Sequence, residues 1–176
     1  LAGDGLLTMA FDMAARSGRT DVIAELAQAA GVSGMVGGQV LDMAGEGRRL
    51  SLLELQRLHA CKTGALIRAS VRLGAVLAGA QGNVLHALTR YGEHIGLAFQ
   101  IADDILDVIG DTAALGKTVG SDIAHEKATY PAIVGLDEAR RLGKDAVARA
   151  VDALSHFGEE ANTFRELAHY IMQRDH

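Results

Sequence analysis

Proline is nearly absent from this sequence, with Pro131 alone among 176 residues. A β-sandwich full of turns draws on proline repeatedly, whereas long uninterrupted helices exclude it. Cysteine is equally scarce. Cys61 alone rules out an internal disulfide framework and fits a reducing, cytoplasmic location. Tryptophan is missing and aromatics make up 4% of the chain, so the 49% hydrophobic fraction must build its core from aliphatic and small side chains. Positive charge is in deficit, 17 Lys and Arg against 22 Asp and Glu, and the net charge of −5 suits a nucleic-acid partner poorly. No long apolar run is free of charge. The best, Thr63 to Ala80, contains Arg68 and Arg72, which a membrane-spanning helix rarely tolerates.

Glycine is the residue in excess, 21 in all. That is well above the roughly 7% of ordinary proteins, and glycines inside helices need a packing or site reason. The length fits one domain, residues 1–176. The chain opens Leu-Ala-Gly-Asp-Gly, without Met or a basic leader, and apolar periodicity runs from its first residues. It therefore reads as the C-terminal part of a longer protein, with N-terminal helices missing.

Periodicity predicts helices throughout. The first carries Leu6, Leu7, Met9, Ala10, Met13 and Ala14 and stops at Ser17-Gly18-Arg19. A second is predicted from Thr20 to Met43 or Ala44, continuous through Gly31, Gly34, Gly37 and Gly38 because the apolar face persists. Ser51 and Glu54 form a capping box that opens a third helix to about Gly79. The fourth spans Asn83 to Ile109 and ends at Gly110; a connection from Asp111 to Thr129 follows. A short helix after Pro131 and helices over 137–157 and 162–173 complete an all-α bundle. Met9, Met13, Met35 and Met43 read as core, and Cys61 as packing. The seven histidines lack H-E-x-x-H or any paired ligand spacing, so no histidine metal site is expected.

Charge is concentrated in one place. Residues 92–126 hold seven acids and one base. Within them, Gln100, Asp103 and Asp107 share one helical stripe, with Asp104 at its edge, and Ile95, Leu97, Phe99, Ile101, Ala102, Ile105, Leu106 and Ile109 cover most other directions. A helix apolar around most of its circumference is buried, so the acidic stripe is expected to face an internal cavity. Carboxylates at i and i+4 repel one another, and a hard divalent cation offsets that; Mg²⁺ takes one or two carboxylates plus waters and phosphates. On the third helix, Lys62 takes the slot between Leu58 and Leu66 on the apolar side. Such a lysine needs an anion, which is either a ligand or a buried carboxylate, unless it snorkels out along its stem. Lys117 and Lys127 follow the acidic helix. Aspartates and lysines around one cavity suit a magnesium-bound diphosphate.

The motifs carry a resemblance. Phe99-Gln100 before Asp103-Asp-Ile-Leu-Asp107 resembles the second aspartate-rich motif of the trans-prenyl diphosphate synthases. Lys62-Thr-Gly matches their lysine-threonine segment, and Leu115-Gly-Lys117 and Lys127-Ala-Thr-Tyr-Pro131 match the two lysine segments beyond. Leu1-Ala-Gly-Asp4 and Gly34-Met-Val-Gly-Gly-Gln39 with Asp42 match two more family segments. The sequence is most similar to the bacterial farnesyl diphosphate synthase branch, also called geranyltranstransferases. The resemblance implies an all-α bundle around a deep central cavity, a homodimer, and head-to-tail joining of isopentenyl diphosphate to an allylic diphosphate. It implies Mg²⁺ on Asp103, Asp104 and Asp107. Lys62, Lys117 and Lys127 would lie on the diphosphate oxygens, and Thr63 and Gln100 would line the same region. Gln39 and Asp42 would face the cavity. Asp103, Asp104, Lys62 and Lys117 would be the groups that assist ionisation.

Two departures matter. Glu126 stands where the family often has glycine, and the family's first aspartate-rich motif has no counterpart in these residues. The 176 residues are therefore expected to hold half an active site and to be inactive alone. A longer-chain synthase, a terpene cyclase of the same fold and a noncatalytic helical partner remain alternatives.

Overall fold

In a computed structural model, which describes residues 1–115 and 128–174, the described chain is helical and contains no strand. The helices are α1 (Ala2–Arg16), α2 (Thr20–Ala30), α3 (Met35–Gly45), α4 (Leu52–His59), α5 (Ala65–Leu77), α6 (Gly82–Leu115), α7 (Tyr130–Val134), α8 (Leu136–Ala153) and α9 (Asn162–Ile171). A π-helical turn, Ala60–Gly64, joins α4 to α5, and a 3₁₀ turn, Glu159–Ala161, precedes α9.

Helix α6 is the axis of the bundle. At 34 residues it is about 50 Å long at 1.5 Å per residue. Tyr91, Ile95, Ala98 and Ala102 on α6 pack against Ala146, Val147 and Ala150 of α8 and Ala168 and Ile171 of α9. Farther along, Ile101 and Ile105 meet Leu55 of α4, Tyr130 of α7 and Ala139 of α8. A separate cluster, Ala14, Val22 and Leu26, seats α1 and α2 against Leu66, Leu73 and Val76 of α5. Arg72, inside the most apolar run, pairs with Glu25 of α2 and donates to Thr89 of α6, so its charge ties three helices together. Among the described residues no helix is long and apolar enough to cross a membrane.

The capping box forms as read. The Ser51 N–H donates to Glu54 Oε2 at 2.8 Å, and the Glu54 N–H donates to Ser51 Oγ at 3.3 Å. Three expectations need correction. The single helix from Thr20 is two helices, because Gly31 (φ −80°, ψ −157°) and Gly34 (φ −132°, ψ −124°) leave helical geometry and let α3 set off in a new direction. The fourth helix runs through Gly110 to Leu115, since a glycine with no need for a left-handed cap is tolerated in a helix at modest cost. Met9, Met13 and Met43 lie on the surface, 61%, 69% and 62% exposed, because α1 and α3 each bury little in this chain.

The new direction of α3 has a purpose in packing. Gly38 lies directly on the π turn, where a Cβ would fall 2.2 Å from the Lys62 nitrogen and 2.4 Å from its Cα. A second close approach joins the other side of that segment to α6, where a Cβ on Gly96 would fall 3.1 Å from Gly64 Cα. Gly74, exposed within α5, meets nothing within 4 Å. Gly38→Ala is therefore expected to destabilise by about 3 kcal/mol or more through overpacking. Gly74→Ala should stabilise by up to about 1 kcal/mol. Urea unfolding of both variants measures this, and equal small effects would show that α3 is not seated on the π turn.

Candidate functional site

The two close glycine contacts hold the π turn between α3 and α6, and this places its two polar residues against opposite neighbours. π turns insert a residue into the helical register and recur at functional positions. Lys62 reaches toward α3, where its Nζ lies 2.5 Å from Asp42 Oδ2, with the two side chains 32% and 29% exposed. Of the readings open for Lys62, carboxylate pairing is the one formed in this chain. A pair this accessible is not a sealed core bridge, and it can exchange partners. Thr63 turns the other way. Its hydroxyl donates to Gln100 Oε1 on α6 at 2.9 Å.

The acidic helix is not organised as one stripe. Asp104, expected at the edge, is the buried member, 1% exposed. Its Oδ1 accepts from Gln100 Nε2 at 2.9 Å, and its Oδ2 accepts from the backbone N–H of Tyr130 at 2.9 Å. Gln100 is buried beside it. Asp103 faces outward at 45% exposure, and Asp107 is exposed one turn farther on. The acidic side that carries Asp103 and Asp107 therefore meets solvent in this chain, in place of the enclosed cavity expected. Gln39 is likewise exposed, on α3 three residues from Asp42. Lys117, Lys127 and Glu126 lie outside the described residues.

Asp103 has a partner that sequence reasoning missed. Arg174, beyond α9, places Nη2 3.2 Å from Asp103 Oδ1 and 3.3 Å from the Phe99 carbonyl oxygen, with its guanidinium 4.4 Å from the centre of the Phe99 ring. The separation of 71 residues left no local signal to find it by. Tyr130, on the far side of Asp104, is fully buried, with its ring 5.7 Å from that of His59. Burial and the nearby Asp104 charge both push its phenol pKa above the ordinary value.

Among the described residues no three His, Cys, Asp or Glu side chains converge to hold a metal ion by themselves. The donors at Asp103 and Asp107 are hard carboxylate oxygens, and a cationic guanidinium already stands against one of them. That set fits Mg²⁺, which takes few protein ligands and completes its shell with water and phosphate. A cavity of about 370 Å³ opens between α4–α5 and α6, lined by Gln56, His59, Gly64, Arg68, Glu93 and Leu97 among others. None of Asp42, Lys62, Thr63, Gln100 or the aspartates lines it.

The Arg174 contact has a measurable worth. Arg174→Ala removes one cation–π contact and two hydrogen bonds, and is expected to cost about 1 kcal/mol. In a chain of this size that is a fall of roughly 3 °C in Tm, readable by calorimetry without added metal. An unchanged melt would show that the C-terminal segment is not held there.

The chain has relatives among known proteins and solved structures. The chain is 47% identical over 187 aligned residues to farnesyl diphosphate synthase of Escherichia coli, covering 99% of this chain and 62% of that protein. It is 39% identical to geranylgeranyl diphosphate synthase of Cyanophora paradoxa, covering 99% of this chain and 61% of the relative. Among solved structures, an FPP/GFPP synthase from Zymomonas mobilis superposes with a TM-score of 0.82 at 35% identity, over 97% of this chain and 59% of the other. A polyprenyl synthase from Caulobacter crescentus, complexed with calcium and isoprenyl diphosphate, gives 0.84 at 27% identity, over 99% and 65%. The chain thus spans about three fifths of the length of the proteins it matches. The polyprenyl synthetase family model matches residues 1–167, and on a match of that extent, joined to the motif order and the all-α bundle, the chain belongs to the polyprenyl synthetase family.

Proposed function

We propose that the protein carrying this chain is a prenyltransferase that condenses isopentenyl diphosphate with dimethylallyl or geranyl diphosphate to give farnesyl diphosphate. The observation that carries this is the junction of the π turn with α6. Thr63 of the turn is hydrogen-bonded to Gln100, on the helix that bears Asp103, Asp104 and Asp107, and the adjacent residue of the turn, Lys62, holds its ammonium group on Asp42 of α3. Cationic, hydroxyl and carboxylate groups are thereby gathered in a family whose named members include farnesyl and geranylgeranyl diphosphate synthases.

In this reading, the allylic diphosphate binds over the outer side of α6. Lys62 leaves Asp42 for a diphosphate oxygen, an exchange that a part-exposed pair permits. Lys117 and Lys127 add contacts to the same oxygens, Thr63 and Gln100 line the region, and Gln39 and Asp42 stand at its margin. Mg²⁺ held by the aspartates would neutralise part of the diphosphate charge, which makes that group a better leaving group. Heterolysis of the allylic C–O bond sends the electron pair to the diphosphate, and Lys62 stabilises the charge that develops there. The double bond of isopentenyl diphosphate attacks the allylic carbon, and the departing diphosphate takes the proton that restores a neutral alkene. No histidine is needed. The calcium and isoprenyl diphosphate in the Caulobacter crescentus protein support a cation-assisted diphosphate site of this kind. Assembly as a homodimer and a cytoplasmic location complete the proposal.

The test is an assay with labelled isopentenyl diphosphate, geranyl diphosphate and Mg²⁺, run on protein from the whole reading frame and on the 176-residue chain. Farnesyl diphosphate is expected from the former and no turnover from the latter. Asp103→Ala is expected to lower kcat/KM by about a thousandfold. A C20 or longer product would move the protein to the geranylgeranyl type. No product from either form would favour a noncatalytic partner.

A further inference from the structure

Three aspartates stand within five residues on α6, yet the structure treats them differently. Asp103 and Asp107 meet solvent, while Asp104 is 1% exposed. A carboxylate removed from water is costly unless its oxygens are filled with donors. Both oxygens of Asp104 are used, one by the Gln100 amide and one by the Tyr130 backbone N–H.

The direction of these bonds carries the argument. An ionised carboxylate only accepts. Gln100 must therefore present Nε2 to Asp104, and this leaves Oε1 facing the π turn. The Thr63 hydroxyl has then to donate to Oε1, and it does so at 2.9 Å. The charge on Asp104 thus sets the rotamer of Gln100 and the donor direction of Thr63, the residue next to Lys62. The other Asp104 oxygen accepts from the backbone N–H of Tyr130, the first residue of α7. A cation placed on Asp104 would have to displace these donors at a position closed to solvent. A cation at the half-exposed Asp103 would displace, among the described residues, the guanidinium of Arg174.

We infer that Asp104 is a positioning residue that orients Gln100, Thr63 and the start of α7, and that the cation-facing carboxylates are Asp103 and Asp107. This rests on the magnesium-diphosphate reading above for its functional consequence, but not for its geometry.

Two measurements test it on protein from the whole reading frame. The first uses no ligand. Hydrogen exchange at the Tyr130 amide is expected to accelerate about tenfold or more in Asp104→Asn and to stay unchanged in Asp103→Asn. The second titrates Mg²⁺ in the presence of inorganic pyrophosphate, read by calorimetry. The half-saturating Mg²⁺ concentration should rise about tenfold or more in Asp103→Asn. In Asp104→Asn it should move by less than about threefold while pyrophosphate affinity falls about tenfold. Losses in Asp104→Asn and Thr63→Val should be non-additive, as for members of one relay. If Asp104→Asn does not fold, Gln100→Leu cuts the relay one link away and must lower pyrophosphate affinity about tenfold while the half-saturating Mg²⁺ concentration moves by less than about threefold. A Mg²⁺ requirement raised as in Asp103→Asn, with Tyr130 protection unchanged, overturns the inference, as does additivity with Thr63→Val. Failure of the unsubstituted protein to bind pyrophosphate with Mg²⁺ would sink the diphosphate reading instead, and the exchange measurement would still decide the role of Asp104.

Discussion

A buried carboxylate in the seam between α6, the π turn and α7 constrains everything near it. Helix α6 is apolar over most of its surface because it is the axis on which α5, α8 and α9 pack. Placing Asp104 in that packing demands donors at fixed positions. Of the two donors named above among the described residues, one is a backbone amide, which cannot be repositioned without moving α7. The other is a side chain whose free end then has only one polarity to offer. Once Asp104 is seated, the orientation of Gln100 and of Thr63 follows from donor and acceptor arithmetic.

Backbone proximity does the rest. Gly38 lets α3 rest on the π turn, and Gly96 lets the next residues rest on α6, so the turn is clasped from two sides with no side chain between. In an ordinary α-helix, neighbouring residues such as Lys62 and Thr63 point about 100° apart. Clasped this way, that divergence sends the lysine to Asp42 and the threonine to Gln100. The glycine excess noted in the composition therefore has a location. At these positions it substitutes backbone contact for side-chain packing.

Much of this was legible in the sequence, and the parts that were not share a cause. The capping box at Ser51 and Glu54, the apolar face of the third helix and the burial of the acidic helix depend on local patterns, and these read correctly. The break between α2 and α3 did not, because apolar residues continue past Ile23, Leu26 and Ala30 through Met35, Val40 and Leu41 and hide the change of direction. The π turn has no compositional mark at all. Asp103 and Asp104 are identical in type and adjacent, so only tertiary contacts can separate an exposed carboxylate from a buried one. Arg174 and Tyr130 meet the acidic helix from far along the chain, and no spacing rule reaches that distance. Motif order identified the family, but it could not distribute roles within a motif.

The exposed half of the acidic pair shows why a weak contact suits the site. Asp103 and Asp107, one helical turn apart, repel each other, and the cost rises as solvent is withdrawn. Arg174 relieves part of that repulsion, but its partner is half-exposed, and an ion pair of that kind contributes at most about 1 kcal/mol. A divalent cation brings twice the charge in a smaller radius and can bind phosphate oxygens at the same time. On the proposed reading, bound diphosphate would favour exchange of the guanidinium for such an ion on Asp103. Had Arg174 been paired with the buried Asp104, releasing it would have stranded a charge away from water, at a cost of several kcal/mol. The division of labour between neighbouring aspartates keeps the exchangeable contact on the surface and the permanent one inside.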